Sequence, residues 1–244
     1  MKFLSVALRP MSAISAFYEF FRVCIGQWNS DRTYHYLNPD SVERSNTQFG
    51  VTPIDVKQKA RVLTDNRYAK EPADFDGCPG LHFNYHTISE TGEIVEQTMN
   101  LVFVPNATSR NRADQSTDSS FIEGDYLRDR AYEEQRPVIA HFRFDSFTRE
   151  MLMTTRYAEI ISIDSITLLT PKMRLRRIVN YPRPLEGQSL GEPELVGLGI
   201  EKKVSKEAKT DTDDMRKVFI PKIVDLYGID YAAAIDKQMS RKNS

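Results

Sequence analysis

The 244-residue chain has two cysteines, one tryptophan and no long apolar run, and each shortage removes a class of protein. Cys24 and Cys78 make one pair at most, too few for a disulfide scaffold, and without a CxxC there is no cysteine-rich zinc site. So little cysteine suits a reducing compartment. No stretch approaches the roughly 18 apolar residues of a helical span, so no membrane crossing is expected. Charge of one sign is also lacking. The 33 Lys and Arg against 34 Asp and Glu leave a net charge of −1, which argues against a nucleic-acid partner, since that needs a basic face. HExxH and the P-loop are absent. His82 and His86 share strand parity but stand too far apart along a strand to share a ligand easily, so no metal site is expected.

What remains is a chain with 40% apolar and 27% charged residues, enough for one sizeable core under a solvated surface. All-β barrels reach roughly 200–250 residues as one unit. Residues 1–11 are expected to be a disordered leader, because the apolar start is too short for a signal and Arg9-Pro10 ends it. Residues 12–27 predict a helix: Ser12 can cap it, Ile14, Phe17, Phe21, Cys24 and Ile25 recur at helical spacing, and Gly26 ends it.

From Arg32 the apolar period falls to two. Strands are predicted at 33–37, 42–51, 58–63, 81–87 and 93–105, with turns at Asn38-Pro39-Asp40 and Glu90-Thr91-Gly92. Residues 106–120 read as a loop, and the charged stretch 124–136 as a solvated surface segment. Further strands are predicted at 138–144, 151–161, 165–170, 173–181 and 194–203. About nine or ten antiparallel strands predict a closed barrel that can hold one small ligand. Residues 204–244 read as a polar and helical C-terminal appendage, leaving 12–203 as the barrel domain.

Arginine is the most informative polar residue. Arg174 and Arg176 alternate around Leu175, so both point to one face, and Arg177 to the other. Facing inward, the pair would line a basic cavity wall and need anions, either internal carboxylates or an anionic ligand; facing outward, they would be solvated. Trp28 and Arg32 stand four residues apart where the helix gives way to strand. They could stack on a flat ligand, or Trp28 could simply plug the barrel end.

Taken together, four patches in order resemble the CpcS/CpeS family of phycobiliprotein lyases. Phe20-Phe21 followed by Gly26-Gln27-Trp28-Asn29-Ser30-Asp31-Arg32-Thr33-Tyr34-His35-Tyr36-Leu37 is similar to its FF…GxWxSxRTxHHL opening. Leu101 to Pro105 resembles its hydrophobic strand ending in Val-Pro. Gly124, Leu127-Arg128, Tyr132, Glu133 and Pro137-Val138 resemble GxLLRxxGYAExxPV. Tyr157, Pro171, Arg174, Leu175 and Arg176 resemble YET…SPNLRLRTS.

The resemblance implies a lipocalin-like antiparallel barrel that holds a bilin, phycoerythrobilin or phycocyanobilin, as bound substrate and delivers it to a cysteine of an apo-phycobiliprotein α or β subunit. It also implies a homodimer, and a setting in the plastid stroma of an alga or the cyanobacterial cytoplasm. Bilin propionates call for cations and its flat conjugated system for aromatic walls, which assigns bilin binding to Trp28, Arg32, Tyr157, Arg174 and Arg176. The acceptor brings the thiol, so no nucleophile of its own is required. The acidic residue of YET is replaced by Ala158, and Glu159 has the opposite strand parity. No catalytic residue is assigned, and Asp164 or Glu43 are the candidate substitutes. Two other readings stay open: a carrier barrel for a bilin or other lipophilic ligand without catalysis, and a phycobiliprotein assembly factor with a vestigial cavity.

Overall fold

The computed structural model describes residues 11–69, 75–107, 120–130 and 136–204. The leader at 1–10, most of the 106–120 loop and the appendage beyond 204 lie outside the described residues. Helix α1 (Ala13–Cys24) starts at Ser12, whose side chain accepts from the Ser15 N–H. Ten strands follow among the described residues: β1 (Gly26–Leu37), β2 (Asp40–Pro53), β3 (Gly80–Ser89), β4 (Ile94–Pro105), β5 (Phe121–Arg128), β6 (Val138–Asp145), β7 (Glu150–Arg156), β8 (Ile160–Thr170), β9 (Met173–Pro182) and β10 (Leu195–Lys203). All neighbours pair antiparallel, and β1 pairs with β10 to close the barrel.

The helix stops earlier than its apolar spacing predicts, at Cys24, and β1 begins at Gly26 instead of Thr33. Gly26 has φ +130°, and a Cβ there would meet Lys203 Cε at 2.7 Å, so glycine allows the sharp passage from helix to strand. The face of α1 carrying Phe17, Phe20 and Phe21 closes one end of the barrel. Phe17 stacks on Phe142 at 5.6 Å and Phe21 meets Phe103 at 4.6 Å. Each such pair adds roughly 0.5–1.5 kcal/mol to the area buried.

Three expectations change. Residues 58–63 are not a strand but lie in α2 (Val56–Asp65). Asp55 and Gln58 form a capping box that starts the helix, and Val62 packs over Val102, Val104 and Leu127 on the outside of the barrel. Residues 124–128 are not solvated surface but the end of β5, with Tyr126, Leu127 and Arg128 buried. The chain also turns at Tyr157–Glu159, so β7 ends at Arg156 and β8 begins at Ile160. Among the described residues no helix is long and apolar enough to cross a membrane.

Candidate functional site

The barrel holds a cavity of about 400 Å³, within the usual range for an organic ligand. Its floor is Phe20, Phe21 and Cys24 of α1 with Phe49, Phe103 and Met151 from the strands. It opens at the other end, where Tyr36, Glu43, Glu93 and Leu195 stand. Arg32, Tyr157, Arg174 and Arg176 line it, so four of the sequence-predicted residues converge on one space. Trp28 does not line it. Its ring is buried beside Phe49 (6.4 Å, near-parallel), and its Nε1–H donates to the Cys24 carbonyl at 2.8 Å. It is the plug, one layer behind the floor.

Strand parity holds for the arginines. Arg177 points out and reaches Glu150 and the Ser165 hydroxyl, the latter at 3.1 Å. Arg174 points in and is 2% exposed. Its Nε donates to Glu201, its Nη1 donates to Cys24 Sγ at 3.2 Å, and its guanidinium lies 4.5 Å from the Trp28 ring centre. Arg176 sits higher on the wall and grips Asp164 with Nε and Nη2, the shortest contact 2.5 Å. Arg32 touches the Ser30 hydroxyl at 3.3 Å and the Tyr34 hydroxyl at 3.5 Å, and reaches Glu201 Oε1 at 3.8 Å.

These carboxylates set the local charge. Burial alone would raise the Glu201 carboxyl, but Arg174, Arg176 and Arg32 outweigh it and hold it below the ordinary carboxylate range. Burial pushes the Cys24 thiol up against the pull of Arg174, so it stays protonated and is no nucleophile. At the mouth, burial and then the charges of Glu93 and Glu90 raise the Glu43 carboxyl. Ala158 and Glu159 are exposed in the turn after β7, so no carboxylate stands on the wall at that point.

Sequence reasoning missed Glu201, Tyr126 and Arg128, all of which line the cavity. Arg128 and Tyr126 share the inward parity of β5 with Ile122 and Gly124, a signal hidden by reading the segment as solvated surface. The Gly187-Gln188-Ser189-Leu190-Gly191 run has GxSxG spacing, which the sequence reading passes over. It lies in the exposed β9–β10 loop and is followed by strand β10, not by a helix, so it is not a nucleophile elbow.

Against known proteins, the family model described as CpeS-like protein matches residues 16–204. Chromophore lyase CpcS/CpeS 1 of Synechococcus sp. (strain JA-3-3Ab) is 45% identical over 195 residues, covering 80% of this chain and 100% of that protein. Chromophore lyase CpcS/CpeS of Thermosynechococcus vestitus is 27% identical over 159 residues, 65% of this chain and 80% of that one. In fold, the chain is similar to the S-type phycobiliprotein lyase CPES from Guillardia theta. The TM-score is 0.58 at 16% identity, over 81% of this chain and 96% of that one.

Proposed function

The chain belongs to the CpeS-like protein family, and we propose that it is a phycobiliprotein chromophore lyase. It binds a bilin and attaches it through a thioether to a cysteine of a phycobiliprotein subunit. The observation that carries this reading is the blind, aromatic-floored cavity whose walls hold arginine–carboxylate pairs. A flat, anionic, partly apolar ligand needs both kinds of wall. The arginine–carboxylate pair Arg176–Asp164 on an otherwise largely apolar wall favours a ligand with anionic arms over a purely lipophilic one.

The chemistry asks for position more than for a reactive group. The acceptor thiol adds across the exocyclic ethylidene of the bilin: one S–C bond forms, and the thiol proton ends on the tetrapyrrole. Holding the ring system in one orientation at the mouth removes much of the entropic barrier. A carboxylate beside the pyrrole N–H groups keeps the bilin protonated and more electrophilic. With Ala158 unable to serve, Asp164 is our choice for that role: it lines the cavity and Arg176 fixes its plane. Phycoerythrobilin and phycocyanobilin are the two ligands to try, with apo-α and apo-β subunits as acceptors. The place of action is a cyanobacterial cytoplasm or an algal plastid stroma. A homodimer, which the resemblance implies, is read by sedimentation equilibrium.

The test is an absorption titration with each bilin, followed by attachment to an apo-subunit and to its acceptor Cys→Ser variant. A red-shifted, sharpened band and a covalent adduct on the cysteine-bearing subunit alone are expected. Binding without faster or more selective attachment would reduce the protein to a carrier, and no spectral change would end the bilin reading.

A further inference from the structure

Resting on that reading, we infer that Arg128 is the contact for one carboxylate arm of the ligand and so sets its orientation in the barrel. Arg128 is 6% exposed and lines the cavity. Its Nη2 donates to the Tyr157 hydroxyl at 2.5 Å. Its Nε is fully buried and has no partner. The guanidinium lies 5.4 Å from the Tyr126 ring centre and 5.3 Å from that of Tyr157. No carboxylate pairs with it among the described residues.

That makes it unlike the other cavity arginines. Arg174 has Glu201, Arg176 has Asp164, and Arg32 approaches Glu201. Arginine cannot shed its charge, and a buried cation without an anion is costly, so among the described residues the wall is short of one negative group. Asp164 contributes to the field at Arg128 but is already gripped by Arg176. With Nε shut away from the cavity and Nη2 shared with the Tyr157 hydroxyl, the Nη end of the guanidinium is the part left to hydrogen-bond a carboxylate at the end of an apolar stem. A bilin propionate is such a group. Because β5 stands four strands from β9 in the barrel order, an arm held at Arg128 fixes which side of the ligand faces the Asp164–Arg176 pair.

The test compares phycocyanobilin as the free diacid and as its dimethyl ester, by absorption titration of wild type, Arg128→Gln and Arg128→Lys. Wild type is expected to prefer the diacid by about tenfold or more. Arg128→Gln should bind the diacid about ten- to a hundredfold more weakly and the diester within about threefold of wild type, which collapses the preference. Arg128→Lys, a point charge without the fork, should fall between and answers the question if the glutamine variant does not fold. An acid-to-ester ratio unchanged from wild type in the folded variants would overturn the inference and leave Arg128 a wall residue. Wild type binding neither form would instead sink the bilin reading itself, and this inference with it.

Discussion

Arg174 and Arg176 lie two residues apart on the same face of β9, yet they work in different surroundings. Arg174 is sealed between Trp28, Cys24 and Glu201 at the floor, where its side chain is 2% exposed. Arg176 stands on the cavity wall with Asp164, and its side chain is 28% exposed. The motif that contains both therefore mixes an architectural ion pair with one that a ligand can reach. The difference teaches that inward parity alone does not say how far an arginine in a barrel is open to a ligand.

The strongest way to break this contrast is Glu201→Gln, which leaves the Arg174 charge unpaired in the floor and should cost about 3–5 kcal/mol in denaturant unfolding. The same pair predicts a pH effect. The Glu201 carboxyl is held below its ordinary 4.5 in the folded chain, so its contribution is present above that value and is lost as pH falls through the folded pKa. Acid unfolding should therefore be less steep in the Gln variant; equal pH slopes would show that Glu201 is not the group responsible. Trp28→Phe should cost about 2 kcal/mol in stability, through lost volume and the lost bond to Cys24, while bilin affinity stays within about threefold. A large loss of affinity would put Trp28 back in the site.

Arg176→Ala sharpens the other side. Bilin affinity should fall about tenfold, or about 1.4 kcal/mol, with a smaller loss of stability than the floor variants show. Stability falling while binding holds would reverse the two roles. The smallest expected effect is at the mouth. The raised Glu43 carboxyl means the unfolded chain gives up its proton first as pH rises, so the ionised group slightly disfavours folding above about 4.5. Glu43→Gln should raise Tm modestly at pH 7 and leave it unchanged at pH 4.

Much of this arrangement was legible in the sequence, and the failures have physical causes. Alternation around Leu175 put Arg174 and Arg176 on one face, but it cannot tell inside from outside when the interior is itself partly polar. β10 shows why. Leu198 and Ile200 are 47% and 41% exposed, while Gly197, Gly199 and Glu201 face in. Apolar-inward reasoning inverts this strand and loses Glu201. The glycines are there for room: a Cβ on Gly197 would meet the Tyr34 ring at 2.7 Å. The expected strand count stays near ten through offsetting differences, because 58–63 reads as a strand and 124–128 as solvated surface. The Asp55–Gln58 capping box would have corrected the first. β5 hid because α2 covers its outer Leu127, which breaks the alternation at the end of a charged-looking segment.

Closure of the barrel floor by α1 has a kinetic meaning. With α1 across one end among the described residues, chromophore and acceptor meet at the opposite end and must use that opening in turn. An acceptor subunit that docks on an empty barrel blocks the route in. Attachment should then follow a compulsory order, chromophore first, and excess acceptor should inhibit competitively with chromophore.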